Sequence, residues 1–203
     1  MCYNFFVMNE NIYTTLGASN HSESLRAKDD FYTTPLIAVE KLLKELNKLN
    51  ITLPKLIIEP SVGTGSIAIP LKEKGHEIIA YDIVDRGYPN TIVSDWLTVK
   101  ERKDENLAII ANFPYKDIQR HTEHALELLK NGEYLISLAK IQFLESKKRR
   151  ELFKKNPPKY VFVFSERIKC LSNGKESSGS SAIAFCWYVF EKGYSGLPQV
   201  DWI

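Results

Sequence analysis

Cysteine is scarce in this 203-residue chain: Cys2, Cys170 and Cys186 are odd in number and far apart. Such usage excludes a disulfide framework and suits reduced thiols in a cytoplasm. Long apolar runs are missing too, since no stretch approaches the roughly 20 residues that a membrane-spanning helix needs. Residues 1–8 are apolar, but they are too short for a secretory signal, carry no basic leader and precede no small-residue cleavage site. An excess of one charge is also lacking: 27 Lys and Arg stand against 25 Asp and Glu, a formal net charge of +2. Any electrostatic grip on nucleic acid therefore has to come from local clusters. His121 and His124 share a helical face, but no Cys or carboxylate completes a metal-ligand spacing beside them. They read as solvated helix histidines, and no metal is expected. Internal repeats and low-complexity tracts are absent.

What the chain does have is alternation. Hydrophobic residues make up 44% and charged residues 26%, the balance of an ordinary globular protein. Residues 36–49 place Ile37, Leu42, Leu43, Leu46 and Leu49 at helical spacing. Further helices are expected at 66–74, closed by Gly75, around Ala125, Leu126 and Leu129, and at 145–155, stopped by Pro157 and Pro158. Seven β-rich runs lie at 56–59, 77–82, 91–94, 107–111, 134–138, 160–164 and 182–190. Strands alternating with helices imply an α/β fold, a mostly parallel sheet covered on both faces. The last two runs have no helix between them, so antiparallel pairing at one edge is expected. Residues 172–181 are polar and glycine-rich, and a mobile loop is expected there. Residues 1–30 read as an N-terminal extension ahead of one domain at 31–203.

The first informative site is Glu59-Pro60-Ser61-Val62-Gly63-Thr64-Gly65, which leaves a strand and enters a helix. In an open parallel sheet, ligands bind beyond the carboxyl ends of the strands. Glycine there lets the backbone turn sharply and approach a ligand. Asp82 ends the next strand about 20 residues on, where a carboxylate can accept both hydroxyls of a ribose. No Gly-Lys-Ser/Thr follows the loop, so a ligand with a ribose and no essential phosphate fits better than a nucleoside triphosphate. Asp95 and Trp96 follow the third strand. They can serve an adenine, by accepting from its amino group and covering its face, or they can be a helix N-cap and a core residue.

Asn112-Phe113-Pro114-Tyr115 stands directly after the fourth strand, again at the carboxyl edge. The exocyclic amino group of adenine is a poor nucleophile, because its lone pair is delocalised into the ring. An Asn oxygen and a neighbouring backbone carbonyl can accept from its N–H groups and disperse the positive charge that builds during attack. Pro114 makes the turn rigid, and Tyr115 offers a face on which an extruded base can stack.

These residues resemble the amino-methyltransferase superfamily, whose hallmark is Asn-Pro-Pro-Tyr or a close variant after the fourth strand. Residues 30–35 (Asp-Phe-Tyr-Thr-Thr-Pro) resemble the Tyr-x-Thr-Pro cofactor motif of many DNA adenine methyltransferases. Residues 17–21 (Gly-Ala-Ser-Asn-His) and 187–193 (Trp-Tyr-Val-Phe-Glu-Lys-Gly) look like small phage-type or mobile-element members. The resemblance implies a Rossmann-like class I methyltransferase fold and S-adenosylmethionine as cofactor. It places Tyr32, Thr33, Pro35, Glu59, Pro60, Gly63, Gly65, Asp82, Asp95 and Trp96 around that cofactor. It gives the target base to Asn112, Phe113 (through its carbonyl), Pro114 and Tyr115. Phe113 stands where proline is usual, a form shared with ribosomal-RNA adenine dimethyltransferases, so RNA is a second candidate substrate beside DNA.

Lys147, Lys148, Arg149 and Arg150, joined by Lys154 and Lys155, form a basic run on one expected helix. Arg167, Lys169 and Lys175 flank the expected loop. Both sets are candidate phosphate contacts. Two other functions stay open: a protein glutamine methyltransferase, whose side-chain amide poses the same chemical problem, and a nucleotide-binding regulatory module without activity.

Overall fold

The computed structural model describes residues 31–172 and 183–203. The expected extension at 1–30, with residues 17–21 and Cys2, lies outside them. So do residues 173–181 of the expected loop, with Lys175.

A two-residue strand, β1 (Tyr32–Thr33), leads through Thr34 and Pro35 into helix α1 (Leu36–Lys48). Pro35 holds φ at −68°, ready for the first helical turn. Ala38, Val39, Leu42 and Leu46 recur at three- and four-residue spacing and form the buried stripe of α1. Then come β2 (Leu56–Glu59), α2 (Ala68–Glu73), β3 (Glu77–Asp82), β4 (Ile92–Val93), β5 (Leu107–Ala111) and α3 (Ile118–Leu128). The second half holds β6 (Tyr134–Lys140), α4 (Lys147–Lys155), β7 (Tyr160–Val163), β8 (Leu171–Ser172), β9 (Phe185–Glu191) and β10 (Gln199–Trp202).

The main sheet runs β10-β7-β9-β6-β5-β2-β3-β4. Every pairing is parallel except those of β9, which is antiparallel to both β6 and β7. This is the expected α/β architecture. Two details differ. The sheet has eight strands, because Gln199–Trp202 adds an edge strand beside β7. All four of its residues are exposed, so no burial pattern shaped them into a recognisable run. The second difference concerns β9, which is inserted between β6 and β7 and does not lie at the edge. Its residues 185–190 are all buried, and unbroken burial is the pattern of a strand covered on both faces.

Alternation divides the core. Ile57, Ala108, Ile110 and Trp187 face one side, packed with Ala38, Leu42 and Leu71. Ile58, Leu107, Ile109 and Tyr188 face the other, packed with Ala125, Leu126 and Leu152. Thus α1 and α2 cover one face, α3 and α4 the other. The Trp187 indole donates to the Ala38 carbonyl at 2.8 Å and binds α1 to β9. Helix α4 starts at Lys147 rather than 145. Residues 141–144 form a tight 3₁₀ turn, and Ser146 (φ 112°) accepts from the Lys148 N–H at 3.2 Å.

Candidate active site

The chain runs from β2 through β3 to β4 toward one edge, then crosses to β5 and β6 on the other side of β2. Ligands in such sheets bind at this switch point, beyond the carboxyl ends of the strands. A cleft of about 570 Å³ opens there. It is lined by Pro60 and Ser61 after β2, Asp82 and Ile83 at the end of β3, Asp95 and Trp96 after β4, and Asn112 and Pro114 after β5.

Asp82 is 6% exposed and tied to backbone. Its Oδ2 accepts from the Gly63 N–H at 2.8 Å, and its Oδ1 from the Val84 N–H at 3.0 Å. The carboxylate therefore holds the glycine turn against the end of β3. Each oxygen can still accept a second hydrogen bond. Gly63 and Gly65 have φ of +55° and +87°. A Cβ on Gly63 would meet the Phe31 ring at 2.6 Å, and one on Gly65 the Tyr88 ring at 2.3 Å. These glycines make room for two aromatic rings, and neither lines the cleft.

Glu59 lies beneath the turn, 1% exposed, with Oε2 lacking a partner. Burial pushes its carboxyl well above the usual range. The Ala68 backbone N–H opposes that shift, and the neighbouring Asp82 charge adds to it. Glu59 is a support of the loop and does not line the cleft.

Asp95 accepts the Leu97 N–H at 2.9 Å and caps the 3₁₀ turn 96–98, while Trp96 is 2% exposed in the core. The capping reading holds for both residues, yet both also line the cleft. The Trp96 indole nitrogen is buried without a partner.

Asn112 is the most informative side chain. Its Nδ2 donates to the Tyr32 carbonyl at 3.1 Å and to the Thr34 hydroxyl at 3.2 Å. Because a carbonyl can only accept, the amide has to present its NH₂ to Tyr32. Its Oδ1 is left buried with no partner. Phe113 is 1% exposed and stacked on His121, ring centroids 5.1 Å apart. Tyr115 packs beside Tyr32 (5.2 Å) and Phe185 (5.9 Å), with the Lys140 ammonium 5.0 Å from its ring centre. Its ring does not line the cleft.

Of the expected cofactor and base residues, the cleft collects Tyr32, Pro60, Asp82, Asp95, Trp96, Asn112 and Pro114. Thr33 pairs instead with Leu171, in a two-stranded antiparallel ribbon of β1 and β8 outside the main sheet. Pro35 starts α1.

His121 corrects the sequence reading. It is 9% exposed, lines the cleft and stacks on Phe113, so it is no solvated helix residue. Burial lowers its pKa, helped by Arg120 and His124 and opposed by Asp117 and Asp95. His124 packs edge-on against Trp96 at 5.4 Å. Sequence reasoning also missed Ile83, Lys116 and Arg120, which line the cleft, and Thr34 behind it. Lys116 and Arg120 follow the 112–115 turn directly, Lys116 two residues ahead of α3 and Arg120 in its first turn. Thr34 stands at the threonine of the Tyr-x-Thr-Pro resemblance, which marked the segment but not this contact.

The basic run begins α4 beyond the carboxyl end of β6, on the same edge of the sheet as the cleft. Lys147 and Arg150 line a second groove with Phe153, Leu197 and Pro198. Arg149 is engaged locally: it donates to the carbonyls of Glu145 (2.7 Å) and Gln142 (3.0 Å). Arg167 and Lys169 are exposed on the segment that leads from β7 into β8. Among the described residues, no cluster of three His, Cys, Asp or Glu side chains can hold a metal ion, and no helix is long and apolar enough to cross a membrane.

No protein-family model matches the sequence, and no curated protein does. Solved structures match in fold. An RNA methyltransferase candidate from Pyrococcus horikoshii is 20% identical with a TM-score of 0.59, over 83% of this chain and 91% of that one. A class I S-adenosylmethionine-dependent methyltransferase candidate from Listeria monocytogenes is 15% identical with a TM-score of 0.58, over 88% and 68%. The modification subunit of a candidate type I restriction enzyme from Vibrio vulnificus is 15% identical with a TM-score of 0.62, over 87% and 48%. The chain has the Rossmann-like class I methyltransferase fold.

Proposed function

We propose that this protein transfers a methyl group from S-adenosylmethionine to the N6 amino group of adenine in DNA. One observation carries the reading. The Asn112 NH₂ is committed to Tyr32 and Thr34, so its unpartnered oxygen is the group available to a donor in the cleft.

The residues present suit the cofactor. Asp82 and Asp95 supply acceptors for hydroxyl and amino groups, while Ile83, Trp96 and Pro114 supply apolar walls in a cleft of nucleoside size. When bound, S-adenosylmethionine supplies an electrophilic methyl group on a sulfonium. The chain's own residues then handle the nucleophile. Asn112 Oδ1 accepts one N–H of the adenine amine and the Phe113 carbonyl the other, which draws the nitrogen lone pair out of conjugation. Both oxygens meet the positive charge that grows on that nitrogen during attack. An amide oxygen is too weak a base to remove the proton, so Asn112 holds the amine in place. The C–S bond to the methyl would break to leave a neutral thioether, and the methylated nitrogen would then lose its proton to water.

The restriction-modification subunit among the structural neighbours supports DNA. RNA adenine is the second reading, favoured by Phe113 in the motif and by the RNA methyltransferase candidate that shares the fold over most of its length. The test is methyl transfer to DNA and RNA in parallel, with the products resolved by nucleoside mass spectrometry. N6-methyladenine in DNA is expected. Methylated RNA adenine with untouched DNA establishes the second reading, and N4-methylcytosine alone overturns both. Asn112→Ala should lower the rate about 100-fold or more while cofactor affinity stays within about twofold, because the lost contact belongs to the transition state.

A further inference from the structure

We propose that Thr34 is a positioning residue of the transfer reaction: its hydroxyl, with the Tyr32 carbonyl, locks the Asn112 amide so that Oδ1 faces the substrate amine. This rests on the function proposed above and adds a residue to it.

An asparagine amide has two faces of opposite meaning to an amine. Its oxygen accepts from an N–H, whereas its NH₂ sets donor against donor. The energy difference between the two orientations has to come from the surroundings. The Tyr32 carbonyl supplies the polarity, because it accepts and cannot donate (3.1 Å). One hydrogen bond, however, leaves the amide plane free to swing about it. The second bond, to Thr34 Oγ1 at 3.2 Å, uses the other proton of Nδ2 and fixes the plane. With both protons engaged, the orphaned Oδ1 has one orientation. A preorganised acceptor avoids reorientation at the moment of reaction, which is where such groups gain their effect.

Thr34 acts from behind. It is 5% exposed and does not line the cleft, so it reaches the reaction through Asn112. Its own position is set by the neighbouring ribbon, in which Tyr32 pairs with Ser172 and Thr33 with Leu171. The catalytic amide is thus oriented by a segment 78 residues earlier in the chain.

The experiment compares Thr34→Val, which keeps the shape and removes the hydroxyl, with Thr34→Ser, which restores it. Thr34→Val should lower kcat about tenfold with KM for nucleic acid and Kd for S-adenosylmethionine nearly unchanged, and Thr34→Ser should recover most of the rate. The Asn112 side-chain NH₂ is followed by NMR in the same proteins without cofactor or substrate. Its protons should exchange with water faster in Thr34→Val than in the parent and in Thr34→Ser. An unchanged kcat in Thr34→Val, a cofactor affinity that falls in step with kcat, or an unchanged exchange rate overturns the proposal. Should the parent methylate no nucleic acid, the functional reading fails by itself, and the exchange comparison still decides whether Thr34 holds the amide.

Discussion

Single residues at this site work by what they deny to water. Glu59 shows it best. Burial holds its carboxyl well above the usual range, so the fold favours the protonated form. Below the unfolded-state pKa of about 4.3, both states carry the proton and Glu59 contributes nothing to pH dependence. As pH rises from there toward the raised folded value, the unfolded chain releases its proton first, and stability falls. Glu59→Gln removes that titration. Its thermal midpoint should match the parent near pH 4 and exceed it increasingly toward neutral pH, as thermal unfolding at a series of pH values would show. A constant gap between the two curves would mean that Glu59 is ionised in the fold. The sequence placed the glutamate before the glycine turn and expected it at the cofactor, whereas it lies buried beneath the turn and does not line the cleft. Its support role was not legible, because that depends on Ala68 and Asp82 closing over it.

At the scale of elements, α4 shows how one charge run contains unlike members. Arg149 spends its guanidinium on the Glu145 and Gln142 carbonyls and lies 5.4 Å from the Phe143 ring centre, so it fastens the helix to the preceding turn. Lys147, Lys148 and Arg150 are exposed. If these meet phosphates, neutralising Lys147 and Lys148 should flatten the dependence of log affinity on log salt by roughly two units. Titrations of nucleic acid at several salt concentrations measure this, and a variant with the parent's slope leaves the run a solvated helix face. Composition revealed the run, but four consecutive cations point in different directions on a helix. Only the turn ahead of α4 distinguishes the anchoring arginine from its neighbours. The β1–β8 ribbon is a further case: two strands of two residues carry no periodicity, and their pairing brings together positions 138 residues apart (33 and 171, by difference).

At the scale of the whole molecule, a buried ion pair lies at the end opposite the cleft. Arg102 and Glu133 pair with side chains 7% and 8% exposed. Glu133 also accepts from the Lys130 N–H (2.7 Å) and the Leu107 N–H (3.3 Å), while Arg102 donates to the Leu128 carbonyl at 2.6 Å. One bonded group therefore joins the end of α3 to the starts of β5 and β6. Arg102→Met would leave the carboxylate buried without its cation, a change that costs about 3–5 kcal/mol. The midpoint of urea denaturation should fall accordingly, with cofactor affinity unchanged below the transition. An unmoved midpoint would show that the pair is open to water.

The sequence by itself determined the class of fold, since seven β-rich runs alternating with helical ones admit few arrangements other than a covered, mostly parallel sheet. It also determined that Asp82, Asp95 and Asn112 would line one cleft, because each ends or follows a strand and parallel strands deliver their carboxyl ends to one edge. Local chemistry was enough for both. The tertiary structure alone decided which partner each group takes. Asp82 turned toward Gly63 and Val84, His121 went inward onto Phe113, and Thr34 came to hold Asn112. Hydrogen bonds between distant positions have no period and no composition, so they exist only after packing has set the distances. That is why the strand ends were readable in advance, while the orientation of the Asn112 amide waited for the fold.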